Sequence, residues 1–197
     1  MAPSNTNLCI CFSGSSVISN ALNKCANVVN QMPGKRYISL GGVNDNGRWT
    51  VSALVKLLSA ISRNLLSDYE GIAYYLAEGD AGLSSVFAAS FRAAKAKKLS
   101  ILVSFSHSQS NGIRDGSLLI ERFLASENID YISPQLYTSG AETSNDFTTN
   151  GIPWSLYAHS KAKIVPSVIK SGYYSKALSY FSQYGISLAG YIQWSQG

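Results

Sequence analysis

Seven short stretches of apolar, β-branched or aromatic residues recur along the chain at an interval of roughly 30 residues, about the length of one strand, one helix and two short loops. The stretches are NLCICF near residue 8, RYISL near 37, YEGIAYYL near 70, LSILVSF near 100, DYISPQLY near 131, AKIVPSV near 163 and LAGYIQW near 189. These are the lengths and residue types of β-strands. The pattern therefore predicts seven strands.

The segments between these strands carry the spacing of amphipathic helices. Between residues 51 and 65 the apolar positions follow the i, i+3, i+4, i+7 rule: Val51, Leu54, Val55, Leu58, Ile61 and Leu65. Further helices are predicted from about 83 to 94 and after Asp115, a candidate N-cap, with weaker ones over 19–29 and 174–181. Strands that alternate with about six helices are typical of a parallel α/β fold.

Two architectures fit this alternation, an open doubly wound sheet and a (β/α) barrel. A doubly wound nucleotide binder normally has a glycine fingerprint after its first strand, whereas FSGSSVIS offers one Gly there. We therefore predict an α/β fold of the TIM-type (β/α) barrel kind, with about seven parallel strands. Because no linker or composition shift interrupts the chain, residues 1–197 are predicted to form a single domain.

Composition narrows the class of protein. Hydrophobic residues make up 46% and charged residues 14% of the 197, which indicates a globular domain, and no apolar run approaches the roughly 20 residues that span a membrane. MAPSNTNLCICF lacks the basic and apolar regions of a secretory signal, so we predict a cytoplasmic location, or an extracellular one if a signal was removed. Cys9 and Cys11 lie two apart on one predicted strand, a poor bridging geometry, so the thiols are predicted to be reduced.

The formal charge of +5 is partly concentrated in RAAKAKK at residues 92–98, which reads as a solvated helix face. No zinc-ligand spacing, Walker loop or nucleic-acid module accompanies it. We therefore predict no metal, no cofactor, no nucleic-acid partner and no membrane partner.

Four patches resemble one enzyme family. YISLGG at 37–42 is similar to an S-x-G-G signature, EGI at 70–72 to the start of D-G-x-D-x-D-x-E, QLY at 135–137 to Q-x-Y, and Trp194 to a tryptophan on the last strand. Together, in this order, they resemble family 18 glycoside hydrolases, the chitinase-like proteins of the hevamine and narbonin type. The resemblance implies a TIM-type barrel. The sequence shows no counterparts of the first strand and the last helix of the family. The barrel is therefore predicted to be small and either incomplete or closed by a partner.

The resemblance fails at the catalytic acids. Ala73, Tyr75 and Ala77 stand where the family has two Asp and a Glu, and in that family the Glu protonates the leaving oxygen while the substrate acetamide attacks. Alanine cannot donate a proton, and acid catalysis supplies about 10²- to 10⁴-fold of rate. We therefore predict a catalytically inactive chitinase-like protein with a carbohydrate-binding, storage or structural role. The implied ligand is a chitooligosaccharide or a related glycan.

Two other functions stay open. Glu78 is the one carboxylate near enough to replace the missing acid, but strand alternation points it away from the interior unless a bulge, which Gly79 would permit, shifts the register. With that shift the protein would be an active glycosidase on N-acetylglucosamine-containing glycans. The missing first strand also suggests self-association through an open barrel edge.

Aromatic and polar residues near strand ends supply the candidate binding residues. Sugar rings pack their C–H faces on aromatic side chains, and we predict a substrate-binding set of Tyr75, Gln135, Tyr137 and Trp194. His107 follows the fourth strand, where barrel enzymes assemble their sites, although an ordinary loop histidine is the simpler interpretation. Trp49 and Trp154 are predicted to lie in loops.

Overall fold

The computed structural model describes residues 7–107 and 112–193. Its strands form one sheet in which every pairing is parallel and the spatial order follows the chain. The strands are β1 Leu8–Phe12, β2 Lys35–Leu40, β3 Gly71–Leu76, β4 Ser100–Ser106, β5 Tyr131–Gln135, β6 Lys163–Ile164, β7 Ser167–Val168 and β8 Ile192–Gln193. Both β6 and β7 pair with β5 in one register, and the ladder is interrupted between them at Pro134 of β5, which has no N–H to donate.

Helices connect the strands and cover one face of the sheet. They are α1 Ile18–Cys25, α2 Val51–Ser62, α3 Ser84–Ala96, α4 Gly116–Leu124 and α5 Tyr174–Ser182, with a 3₁₀ helix at Trp154–His159 between β5 and β6. Thr50 caps α2 by accepting from the Ala53 amide at 3.0 Å. Asp115 immediately precedes α4, but its carboxylate accepts from the Gly82 amide instead of capping the helix. Within the described ranges, none of the helices is long and apolar enough to cross a membrane.

The sheet curls but does not close. Among the described residues β1 and β8 are not paired with each other, so β1 forms one edge and β8 the other. Seven strand positions with helices on the outside form an incomplete (β/α) barrel, which confirms the predicted fold class. The predicted self-association through this open edge stays a prediction.

The two faces of the sheet differ in what they bury. Outward side chains such as Tyr74 join Phe87, Phe91 and Phe123 in a large core between sheet and helices. Inward side chains form a cluster of four buried residues: Tyr37, Ala73, Leu102 and Val165. Gly71 is required in this inner cluster, because the Tyr37 ring occupies the space that a side chain at residue 71 would need.

A disulfide links β1 to α1, which corrects the expectation of reduced thiols. Cys11 and Cys25 are bonded with their Cα atoms 6.0 Å apart, and Cys9 is free. The sequence argument compared two cysteines on one strand, whereas the bond joins a strand to the helix packed on it. Disulfides persist mainly in oxidising compartments. The predicted cytoplasmic location stays a prediction.

Candidate functional site

Polar side chains from neighbouring strands meet at the carboxyl-terminal mouth of the half-barrel. Tyr75 on β3 and Gln135 on β5 are hydrogen-bonded through their side chains. Gln135 also donates from Nε2 to Ser104 Oγ on β4, at 3.3 Å. Strand register explains the group, since Tyr75 lies opposite Ser104. Two residues of the predicted binding set are therefore in direct contact.

Tyr137, the third member of the predicted set, lies just beyond β5. Its Oη is 3.0 Å from Ser167 Oγ on β7, the residue that pairs with Gln135. Burial raises the pKa of both Tyr137 and Tyr75 above the usual value, so both phenols are neutral at physiological pH. Trp194, the fourth member, lies outside the described residues.

The mouth also presents an accessible aromatic edge. Phe12, at the end of β1, is 41% exposed, and its ring centroid lies 5.7 Å from that of Tyr75. Tyr75 itself is half-buried. A pair of rings with hydroxyl and amide groups beside it offers a sugar both an apolar surface and hydrogen-bond partners.

No carboxylate stands among these groups. The inward position of β3 that precedes Tyr75 is occupied by buried Ala73, and half-buried Ala77 follows the strand. All eleven acidic residues of the chain lie in its described part, and none of them is buried. Glycosidase acids are carboxyls whose protonated form is favoured by burial in an apolar setting.

The register of the chain changes just before Glu78. Leu76 belongs to the outer core, and a side chain at Gly79 would also meet outer-core residues, Ile113 and Trp49. In a regular strand, residues two positions apart face the same side. Leu76 and Gly79 are three positions apart and face the same side, so one residue between them is out of phase, as in a β-bulge. Glu78 therefore does not follow the alternation of β3, and its carboxylate covers Gly112.

The surroundings of Glu78 are charged and solvated. Its carboxylate lies 4.0 Å from the guanidinium of Arg48, and 37% of its side chain is exposed. Arg48 also binds Asp80 at 2.9 Å. Arg48, Glu78 and Asp80 thus form an ion-paired rim cluster.

Glu142 lies in the loop that follows Tyr137. It accepts hydrogen bonds from three successive backbone amides, those of Thr138, Ser139 and Gly140, at 2.6–2.9 Å. These amide donors outweigh the opposing effect of burial and lower the pKa of Glu142 to about 2. The carboxylate that follows Tyr137 most closely along the chain is thus held ionised, the opposite of what an acid catalyst needs.

His107 directly follows β4, where the sequence favoured an ordinary loop histidine. It is buried, and its ring stacks on Trp154 with centroids 3.6 Å apart. Burial lowers its pKa to about 4. Nδ1 lies 3.4 Å from the Thr148 carbonyl oxygen, while Nε2 is buried without a hydrogen-bond partner in the described structure.

Sequence reasoning missed several residues that shape the mouth. Trp49, predicted to lie in a loop, is fully buried, and its Nε1 donates to the Tyr75 carbonyl at 2.9 Å. The place of Ser104 and Ser167 beside the predicted binding residues was also missed, because serine in a strand gives no local signal. Their register opposite Tyr75 and Gln135 would have identified them once the pairing was known.

Comparisons with known proteins give a distant structural similarity. No family model matches the chain, and no curated protein matches it. Among solved structures, the chain is similar to the chitinase from Chromobacterium violaceum ATCC 12472, with 15% sequence identity and a TM-score of 0.40. The match covers 83% of this chain and 62% of that one, so the chain spans less than two thirds of the length of that chitinase.

Proposed function

We propose that this protein is a chitinase-like barrel that binds a neutral glycan at its mouth without hydrolysing it. The ligand would stack on the exposed edge of Phe12 and Tyr75. Its hydroxyl or acetamido groups would hydrogen-bond Gln135 and Tyr137. A chitooligosaccharide is the ligand class that fits both the neutral polar groups and the sequence resemblance.

The observation that carries this proposal is the composition of the inner face at the mouth. Tyr75, Gln135 and Tyr137 are held by hydrogen bonds among neutral groups. Fixed polar groups of this kind bind without paying the entropy of ordering flexible side chains. Because Ala77 stands where the family has its catalytic Glu, the mouth has binding groups and, among the described residues, no buried carboxyl group.

Calorimetry with N-acetylglucosamine oligomers tests this proposal directly. We expect saturable binding to the wild-type protein, and binding weakened by about tenfold or more in Tyr75→Ala, because a stacked aromatic contributes roughly 1–2 kcal/mol beyond its hydrogen bond. Tyr184→Ala is the matched control, since Tyr184 is an exposed tyrosine outside the mouth. Absence of binding by the wild-type protein, or equal weakening by both variants, would contradict the proposal.

An active glycosidase is the second candidate, and the position of Glu78 favours it. The break in alternation after Leu76 is the change of register that a catalytic Glu78 would require. Release of a chromophore from a chitooligosaccharide glycoside separates the candidates. We expect no release above the uncatalysed rate. Release at enzyme-like rates that Glu78→Gln abolishes would instead establish the glycosidase.

A further inference from the structure

A second concave surface lies on the outer side of α5, away from the barrel mouth. It is an open depression of about 360 Å³. Its lining consists of Phe147, Ser175, Lys176, Ser179, Tyr180 and Gln183. We call this surface the α5 groove. Five of its residues lie on α5 or directly after it, and Phe147 comes from the loop that follows β5.

The floor of the α5 groove is aromatic and fixed. Phe147 and Tyr180 stack with ring centroids 3.8 Å apart at 14°. Both rings also contact buried Phe181 edge-on, with centroids 6.1 and 5.8 Å away. The Phe147 carbonyl accepts from Trp154 Nε1 at 2.9 Å, which anchors the loop to the core. A ligand would therefore meet a preformed apolar surface.

The rim of the α5 groove is polar and carries one positive charge. Ser175, Ser179 and Gln183 are spaced four residues apart, which places them on one side of the helix. Within the described residues, the Lys176 ammonium has no ion pair or hydrogen bond, and no acidic residue lines the groove. The groove thus offers an uncompensated cation beside an aromatic floor, with hydroxyl and amide groups along its length.

We propose that the α5 groove binds a sugar acid, a compact pyranose ring that carries one carboxylate. The carboxylate would pair with Lys176, and the apolar C–H groups of the ring would pack against the side of the Phe147–Tyr180 stack that lines the groove. Ring hydroxyls would hydrogen-bond Ser179 and Gln183. An aromatic acid shares the charge and the flat face, but it leaves these rim groups without partners. None of these residues belongs to the barrel mouth, so the proposal is independent of the function proposed there.

An NMR titration of backbone amides tests the site and its location together. The full chain is titrated with D-glucuronate, with glucose and with benzoate at low salt. We expect glucuronate to shift amides of residues 175–183 in a saturable way, with about fivefold higher affinity than glucose, the size of one exposed ion pair. Benzoate is expected to bind more weakly than glucuronate.

Two matched lysine variants complete the test. Lys176→Gln should weaken glucuronate binding about fivefold, whereas Lys56→Gln, at an exposed lysine on α2, should leave it unchanged. The proposal is overturned if glucuronate causes no saturable shifts at 175–183. It is also overturned if glucose or benzoate binds as well as glucuronate, or if both variants behave alike. Shifts confined to Tyr75 and Gln135 would assign the sugar acid to the barrel mouth instead.

Discussion

The two faces of the sheet differ in the side chains that they carry. The outer face is covered by helices and filled with interlocking rings: Trp49, Tyr74, Phe87, Phe91 and Phe123. The inner face buries a cluster of four apolar residues. At its carboxyl-terminal end it carries four polar residues: Ser104, Gln135, Tyr137 and Ser167. The same strands thus present an apolar core on one side and a polar surface on the other, because alternate residues of a strand face opposite sides.

This contrast explains how a barrel can stay folded without closing. Burial of apolar area drives folding, and most of that area lies between the sheet and the helices. Since the inner face contributes less, it accommodates polar side chains and an open edge. Substitutions on the outer face should therefore affect stability, and substitutions at the mouth should affect binding.

The largest effect is expected from Phe87→Ala. Phe87 is fully buried on α3 and contacts Trp49, Tyr74 and Phe123, so its loss leaves a cavity at the centre of the outer core. We expect the free energy of unfolding to fall by about 3–5 kcal/mol, measured by urea denaturation. Val165→Ala on the inner face should cost about 1–2 kcal/mol. A larger loss for Val165→Ala would reverse the division between the faces.

The strands and most helices could be predicted from sequence because their signals are local. Apolar residues recur every two residues in a half-buried strand and every 3.6 residues in an amphipathic helix, so the sequence pattern shows which side of each element is buried. The contacts across the fold could not be predicted in this way. The Cys11–Cys25 bond, the hydrogen bond of Trp49 to the Tyr75 backbone and the contact of Gln135 with Ser104 all join residues that only the packed structure brings together.

The candidate site was predicted by resemblance more than by pattern. Gln135 and Tyr137 were identified from a family motif and Tyr75 as an aromatic residue near a strand end, and the structure places all three at one end of the inner face. The orientation of Glu78 depends on a break in alternation that follows Leu76. Beyond the break, Glu78 pairs with Gly112 and Gly79 pairs with Trp49, and both partners are distant in sequence. Sequence alone therefore left both orientations open.

An intermediate effect is expected from acid, through His107 on the outer face. Its pKa is lowered to about 4 in the fold, against about 6.5 unfolded, so the unfolded chain takes up this proton first as pH falls. The contribution of neutral His107 to the free energy of unfolding is fully present above pH 6.5 and is lost as the pH falls towards 4. The loss is about 3 kcal/mol, measured by urea denaturation across this range.

A variant without a titrating ring isolates this effect. His107→Phe retains a flat ring against Trp154 and removes the proton-binding nitrogen atoms. Its stability should change little between pH 6.5 and 4.5, since carboxylates such as Glu142 titrate mainly below that range. An equally steep loss in His107→Phe would show that another group causes the acid sensitivity.

The smallest effect on stability is expected from removing one tyrosine hydroxyl on each face, and this pair of variants compares the faces most directly. Tyr137 Oη is hydrogen-bonded to Ser167 Oγ at 3.0 Å on the inner face, and Tyr74 Oη to Ser90 Oγ at 3.2 Å on the outer face. Tyr137→Phe and Tyr74→Phe should each lower the free energy of unfolding by about 1 kcal/mol, because each deletes one hydrogen bond and leaves a buried serine behind.

Binding should separate these two variants where stability does not. In calorimetry with N-acetylglucosamine oligomers, Tyr137→Phe is expected to weaken binding about fivefold, the value of one hydrogen bond of roughly 1 kcal/mol, whereas Tyr74→Phe leaves it unchanged. Tyr74 is fully buried against α3 and cannot reach a ligand at the mouth. If both variants weaken binding equally, the loss comes from loosening of the whole sheet, and the inner face has no separate role in recognition.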